Sequence, residues 1–237
     1  YLRCDNNQIT SLDLSQNTAL TELNCADNQL TSLDLSQNTA LTFLSCYANQ
    51  LTSLDVSSNT ALTGLYCADN QLTSLDVSQN TALTFLSCFK NQLTSLDLSQ
   101  NTALTELNCV YNQLTCLNVK NGSNTNQAWI FTFFAVHTNP NLTCIEVDDP
   151  GWATQYLTII DPQTSFSTNC NYPSNCFSTT TTITEQTNNI NLYPNPTNDL
   201  IKLDIEGYNG PINVEVYDLS GKLLQSTTNT TISMGEY

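Results

Sequence analysis

A repeat of 21 residues governs the first half of the chain and limits the folds open to it. Six cysteines keep this interval: Cys4, Cys25, Cys46, Cys67, Cys88 and Cys109. Five asparagines keep it too: Asn28, Asn49, Asn70, Asn91 and Asn112. A fixed period of this size is typical of a solenoid, in which each repeat forms one coil and buries its apolar side chains against its neighbours. The sequence therefore predicts a stack of similar coils over residues 1–119.

Each repeat has two similar halves, which in residues 20–40 are LTELNCADNQ and LTSLDLSQNTA. We expect two short parallel strands per coil, around residues 23–25 and 33–35. Alternation along a strand sends Leu and Cys inward and their neighbours outward. Asn28 and Asn38, with their equivalents, fall at turns where a side-chain amide can satisfy backbone groups. The cysteines are then small apolar core residues, because a row at strand spacing lacks the tetrahedral arrangement of a metal site.

The unit L-x-x-L-x-C-x-x-N-Q-L resembles the leucine-rich repeat, with Cys at a strand position that often carries Leu. The resemblance covers roughly residues 1–120. It implies a mainly β fold, a right-handed leucine-rich repeat solenoid, closed by a terminal cap.

The coils differ from one another almost wholly at four outward positions around the first strand. Large or charged side chains occupy many of these positions: Phe43, Tyr47, Tyr66, Phe85, Phe89, Lys90 and Tyr111. An exposed aromatic patch usually marks an interaction surface. We therefore predict that these residues bind a protein or a glycan, although drifting repeats could keep aromatic residues simply because they suit strands.

An aspartate row occupies the opposite outward face and is nearly constant. Its members are Asp13, Asp34, Asp55, Asp76 and Asp97. Like charges at strand spacing repel unless they are solvated, hydrogen-bonded or bridged by cations. A solvated structural row, a cation-binding row and a regular surface that matches a crystal lattice are the three hypotheses.

The period breaks after Val119, and residues 120–176 are predicted to form a C-terminal cap with one further coil. Residues 120–127 suit a loop and residues 128–136 an apolar strand. We align Leu142, Ile145 and Val147 with Leu104, Leu107 and Cys109, which would extend the first strand position of the coils. Asp149 and Pro150 suit the N-cap and first residue of a helix.

Four cysteines of the cap lie outside the repeat column and are disulfide candidates if the protein is exported. They are Cys116, Cys144, Cys170 and Cys176, and they allow three connectivities. The similarity to caps of leucine-rich repeat proteins favours a pair between Cys144 and Cys170.

After a linker at residues 177–189, residues 190–237 carry short alternating segments that predict strands. These segments resemble the C-terminal sorting domain of the Bacteroidetes type IX secretion system. The resemblance rests on the spacing of Pro194, Asn195 and Pro196, followed by Asp199 and residues 217–222. The resemblance implies a small β-sandwich that directs export, engages the secretion machinery and leaves the cargo secreted or attached to the outer-membrane surface. The chain stops before the last strand and basic tail of that family, so we expect a truncated copy.

Composition excludes several functions. With 21 acidic and 5 basic residues, a net charge of −16 disfavours nucleic acid as a partner. No apolar run is long enough to enter a membrane. No phosphate loop, metal-ligand cluster or catalytic signature accompanies His137, the single histidine. We therefore expect no enzyme, no cofactor and no metal.

The sequence thus predicts an exported binding module for adhesion or recognition. Two alternatives stay open: a structural spacer whose functional domain lies in a missing N-terminal part, and a cation-dependent module that uses the aspartate row. Because Tyr1 already lies inside a repeat and no signal peptide precedes it, we expect a longer precursor.

Overall fold

The computed structural model describes residues 1–122, 133–174 and 176–177, and five strands between residues 190 and 233. The chain divides into two compact units, Tyr1–Thr179 and Thr180–Tyr237. The first unit holds the repeats and the cap.

A parallel sheet, called here the first sheet, runs along the repeats. Within the described residues its strands are Leu2–Arg3, Glu22–Asn24, Phe43–Ser45, Gly64–Tyr66, Phe85–Ser87, Glu106–Asn108 and Phe133–Ala135. Each strand up to residue 108 pairs with the strand 21 residues away, so that Leu23 lies opposite Leu44 and Leu44 opposite Leu65. The predicted fold class, a mainly β parallel solenoid, is confirmed.

Leucines and cysteines fill the interior as alternation predicts. Leu44, Cys46 and Leu51 are fully buried in one coil, and their equivalents repeat this burial along the stack. The core is thus one continuous column of Leu, Val and Cys side chains. Burying a leucine contributes about 1.5–3 kcal/mol, so the repeated core supplies most of the driving force for folding.

The second halves of the coils form strands only toward the C-terminal end. A second parallel sheet contains Ser95–Asp97, Cys116–Asn118, Cys144–Glu146 and Ser165–Ser167. In earlier coils the equivalent residues, such as 33–35, are not strands, so the prediction of two strands in every coil holds only for the last coils.

Two asparagine ladders join the coils at their turns, as predicted. In the first ladder, the Asn49 amide donates to the carbonyls of Cys25, Cys46 and Tyr47 and accepts from the Leu30 amide. Its members are Asn28, Asn49, Asn70, Asn91, Asn112 and Asn139.

The second ladder donates but does not accept. Its members are Asn38, Asn59, Asn80 and Asn101, all fully buried. The Asn59 amide donates to the carbonyls of Leu35 and Asn38. The Oδ1 atoms of this ladder have no hydrogen-bond partner among the described residues.

The strands of the cap extend both sheets, but they lie elsewhere than we aligned them. Phe133–Ala135 takes the first-sheet position beside Glu106–Asn108. Cys144–Glu146 pairs instead with Cys116–Asn118 and Ser165–Ser167 of the second sheet. The alignment of Ile145 with Leu107 is therefore wrong, because the apolar run before it had already supplied the first strand of this coil.

The helix Pro150–Tyr156 begins where the sequence predicts. The Asp149 carboxylate accepts hydrogen bonds from the amides of Gly151 and Trp152, and Pro150 is the first helical residue. In the described part of the chain no helix has the length and hydrophobicity to cross a membrane. Most of the predicted loop at 120–127 and the first part of the predicted strand at 128–136 lie outside the described residues.

The four cap cysteines form two disulfides, Cys144–Cys170 and Cys116–Cys176. The first is the pair favoured by the resemblance to other caps. Tyr172 lies beside them and donates its hydroxyl to the Cys144 carbonyl at 2.6 Å, while accepting from the Leu117 amide. Burial raises the pKa of Tyr172 to about 12. These contacts fasten the end of the first unit to the second sheet.

The second unit contains antiparallel strands only, within the residues described. They are Ile190–Tyr193, Leu200–Ile205, Val214–Tyr217, Leu223–Thr227 and Thr231–Ser233. These strands fit the predicted alternating segments. The predicted linker after Phe177 and the motif residues 194–199 and 218–222 lie outside the described residues.

Candidate functional site

The variable face is the outward side of the first sheet together with the turn that follows each of its strands. Three of its predicted site residues form an aromatic cluster: Phe43, Tyr66 and Phe85. The rings of Tyr66 and Phe85 stack with centroids 4.1 Å apart, and the Phe43 ring lies 5.4 Å from Tyr66. Gly64 permits this packing, because a Cβ there would lie 3.2 Å from the Phe43 ring. The cluster is therefore only partly exposed and covers itself.

Tyr47 and Phe89 lie on the neighbouring row of the variable face, with ring centroids 6.1 Å apart across the intervening coil. The coil between them carries Ala68, which is buried. Small residues in alternate coils thus let large rings of the flanking coils approach one another. This alternation explains much of the variation among the repeats at these positions.

The remaining predicted site residues lie at the junction of the repeats and the cap, where they line an open cleft of about 400 Å³. Phe89, Lys90 and Tyr111 form its repeat side. Phe133, His137 and Ile159 close it from the cap, with Asn108, Val110 and Ala135 completing the lining.

Several cleft residues are exposed although they are large and apolar. The exposed fractions are 55% for Tyr111, 42% for Phe133 and 45% for Ile159. Tyr111 also meets His137 edge to face, with ring centroids 6.3 Å apart. Exposed apolar groups that converge on one concavity are typical of a binding site.

Sequence reasoning missed the cap side of the cleft. Phe133 was part of an apolar run, which predicted a strand but not its place in the first sheet. His137 has no catalytic signature around it, and Ile159 carries no signal in the sequence. Only the three-dimensional path of the cap brings Ile159 to the end of the variable face.

One backbone position in each coil is left-handed, and its residue types change at the cleft. These residues have φ of 50–62°: Asn6, Asp27, Ala48, Asp69, Lys90, Tyr111 and Thr138. Asn and Asp tolerate this conformation, whereas other side chains pay a steric cost of about 1–2 kcal/mol. Lys90 and Tyr111 therefore occupy strained positions, and both line the cleft.

The charges on the variable face are mostly negative. Lys90 Nζ lies 3.4 Å from Asp69 Oδ2, an exposed ion pair between neighbouring coils. Glu22, Asp27 and Glu106 lie on the same face, and no described residue donates a hydrogen bond to their carboxylates. Burial, and next the Glu106 charge, raise the pKa of Tyr66. In the first sheet Glu106 lies opposite Phe85, a member of the aromatic cluster.

The carboxylates of the aspartate row, on the opposite face, accept hydrogen bonds from nearby backbone amides. Asp13 accepts from the Ser15 amide at 3.0 Å, and Asp34 accepts from the Ser36 amide at 2.9 Å. These bonds to Ser15 and Ser36 lower the pKa of both carboxyls. Among the described residues no group of three or more acidic, histidine or cysteine side chains could hold a metal ion. These contacts favour the structural hypothesis for the row.

The thiol column, Cys4 to Cys109, lies inside the coils and away from both faces. Burial raises the pKa of Cys25 to about 12 and raises those of Cys46, Cys67 and Cys88 well above the usual value. Such thiols stay protonated at neutral pH and are poor nucleophiles.

Two segments of the chain match known families. Residues 18–59 match "Leucine Rich repeats (2 copies)", and residues 191–236 match "Secretion system C-terminal sorting domain". A search of the curated proteins found no match. The sorting domain indicates that the protein is secreted or attached to the cell surface.

Several solved structures resemble part of the chain. The functional domain of InlJ from Listeria monocytogenes, described as including a cysteine ladder, is 37% identical, with 62% of this chain and 38% of that chain covered and a TM-score of 0.44. A leucine-rich repeat protein of Leptospira interrogans is 26% identical, covering 70% and 42%, with a TM-score of 0.49. An internalin, InlF, of L. monocytogenes is 20% identical, covering 67% and 50%, with a TM-score of 0.48. The chain spans half or less of the length of these proteins.

Proposed function

We propose that this chain, in which leucine-rich repeats precede a secretion sorting domain, is an exported binding module that holds a macromolecular partner on its variable face. The partner is a protein or a glycan, and the second unit engages the type IX secretion machinery. The cleft and its exposed rings form the centre of the binding surface, and the aromatic cluster extends it along the repeats.

The observation that carries this proposal is the pair of strained residues at the cleft. Of the coils away from the cleft, three place Asn or Asp at the left-handed position, which suits the backbone, and one places the small residue Ala48. The coils that line the cleft carry Lys90 and Tyr111 there, and the Tyr111 ring is 55% exposed. Backbone strain without compensating burial is common at functional sites. A partner that covers the Tyr111 ring would supply the missing contact.

The test compares two variants at equivalent positions of different coils. Tyr111→Asn removes the ring and relieves the strain, so we expect a folded protein whose stability changes by no more than about 1 kcal/mol. Ala48→Asn relieves the backbone strain at the equivalent position of a coil away from the cleft, and it serves as the matched control. The wild-type chain and both variants are tested against a panel of immobilised extracellular proteins and glycans.

We expect Tyr111→Asn to lose at least about tenfold in affinity for any partner that the wild type binds, because central aromatic residues dominate interfaces. Ala48→Asn should bind as the wild type does. No binding by the wild type would instead support a structural spacer, and equal binding by all three proteins would contradict a binding site centred on the cleft.

The cation-dependent alternative uses the aspartate row, whose carboxylates already accept backbone hydrogen bonds. It predicts that chelation lowers the melting temperature. A binding module on the variable face predicts an unchanged melting temperature when chelator is added.

A further inference from the structure

The charges around the cleft favour one class of partner, and this inference rests on the function proposed above. From the second coil to the last repeat, the variable face has four carboxylates and one ammonium group: Glu22, Asp27, Asp69, Glu106 and Lys90. Asp69 already balances Lys90 through their ion pair. The whole chain carries −16, so its long-range field has the same sign. A surface of this charge attracts a basic partner and repels an acidic one.

Glu106 is a carboxylate of the strand next to the one that carries Phe133 of the cleft. In the first sheet it lies opposite Phe85 on one side and Phe133 on the other. Phe133 lines the cleft, and Phe85 stacks on Tyr66. Neighbouring strands lie about 4.8 Å apart, so the Glu106 carboxylate has an aromatic ring within reach on either side.

A carboxylate between aromatic rings suits arginine better than it suits lysine. A guanidinium can form two parallel hydrogen bonds to a carboxylate while its flat face lies on a ring. The stacked pair of Tyr66 and Phe85 offers such a ring face beside Glu106. A lysine ammonium is a compact charge and would satisfy only one of these contacts.

The cleft itself suits a large apolar side chain. Phe89, Tyr111, Phe133 and Ile159 give it apolar walls, and the aliphatic stem of Lys90 can add to them while its ammonium stays with Asp69. Because Phe133 lines the cleft and is also the neighbour of Glu106, both sites lie within one strand spacing. An extended chain covers this distance in about two residues.

We propose that the variable face recognises a protein segment in which arginine lies within two residues of a large apolar side chain. The guanidinium binds Glu106 against the aromatic cluster, and the apolar side chain enters the cleft. A neutral glycan could also stack on these rings, but it carries no positive charge to balance the carboxylates.

The test begins with a phage library of random dodecapeptides, selected on the immobilised full-length chain and counter-selected on its Tyr111→Asn variant. The most enriched sequence is synthesised with a fluorescent label, and its affinity is measured by anisotropy at low and high salt. The proteins compared are the wild type, Glu106→Gln and Glu22→Gln. Glu22 is the matched control, since it occupies the same position of a coil four repeats away.

We expect enrichment of arginine beside Trp, Phe or Leu. Glu106→Gln should weaken binding at least about fivefold, Glu22→Gln less than about twofold, and added salt should weaken it further. Enrichment of acidic or uncharged peptides, or equal affinity for Glu106→Gln, would overturn the inference.

Failure of the inference can be told apart from failure of the proposed function. If no selected peptide depends on Tyr111, the inference is overturned. Binding to a neutral glycan that Tyr111→Asn abolishes would then leave the proposed function in place. If neither peptides, proteins nor glycans distinguish Tyr111→Asn from the wild type, both proposals fall together.

Discussion

At the scale of single residues, each position of a coil is determined either by the backbone conformation and core packing or by the exposed surface. The left-handed position shows this best, because its backbone conformation is the same in every coil while its side chain varies. Asp27 and Asp69 suit that backbone. Tyr111 does not, and its ring is exposed. The thiol column lies at the other extreme, since its side chains are constant and almost wholly buried.

The thiol column predicts a loss of stability in alkali. Unfolded cysteines titrate near pH 8.5, whereas burial raises the folded pKa of Cys25 to about 12 and those of its neighbours well above the usual value. A pKa that is raised in the folded state leaves stability intact below about pH 8.5 and removes it as the pH rises toward the folded value. Each buried thiol should cost about 1.4 kcal/mol per pH unit in this window.

The measurement is denaturant unfolding between pH 7 and 11, with Cys67→Ala as the comparison. Above about pH 9, the free energy of unfolding should fall less steeply with pH in Cys67→Ala than in the wild type. The difference should be the contribution of one thiol, about 1.4 kcal/mol per pH unit. Identical slopes in the two proteins would contradict a role for thiol ionisation.

At the scale of the elements, the turns hold the coils together as much as the strands do. The first-sheet strands span only two or three residues each, so each coil forms few strand hydrogen bonds. The first asparagine ladder adds four bonds per coil, and these join carbonyls of two successive coils to an amide of the earlier one. The second ladder adds two donated bonds per coil and leaves its Oδ1 atoms without a partner among the described residues.

The two ladders should therefore differ in what they contribute to stability. Asn70 donates to the carbonyls of Cys46, Cys67 and Ala68 and accepts from the Leu51 amide. Asn70→Ala leaves the buried Leu51 amide without its acceptor, while the three carbonyls keep bonds from Asn49, Asn91 and the Ala48 amide, and we expect a loss of about 1–3 kcal/mol. Asn59→Ala removes two donated bonds and a buried carbonyl oxygen that had no partner, so it should cost less. Thermal and urea unfolding test this order, and an equal or larger loss for Asn59→Ala would refute it.

The sequence predicts the repeated elements better than the cap because every coil stacks on its neighbours in the same way, so the same residue pattern recurs in each coil. The inward Leu and Cys, the asparagine turns and the N-cap at Asp149 follow from local spacing. The second strand does not follow from local spacing, because whether residues 33–35 pair with the neighbouring coils depends on the distance between those coils. The place of Phe133 in the first sheet, and hence half of the cleft, depends on the chain path through the cap.

At the scale of the whole molecule, the proposed function rests on a division between constant and varied residues. The constant residues build a column that could be extended coil by coil, and the sorting domain marks the product for export. The varied residues lie on one face and end in a cleft whose cap side the repeats do not encode. A binding site at such a junction can change without disturbing the core.

The most direct test of this division is saturation mutagenesis of position 111, with each variant of the full-length chain scored twice. Protease resistance ranks the variants by folding, and affinity for a partner from the panel ranks them by binding. We predict that Asn, Asp and Gly rank highest for folding because the backbone is left-handed there, whereas only aromatic residues retain binding. If the variants ranked in the same order for folding and for binding, with Tyr best in both, Tyr111 would be a structural residue. That result would contradict a binding function of the variable face.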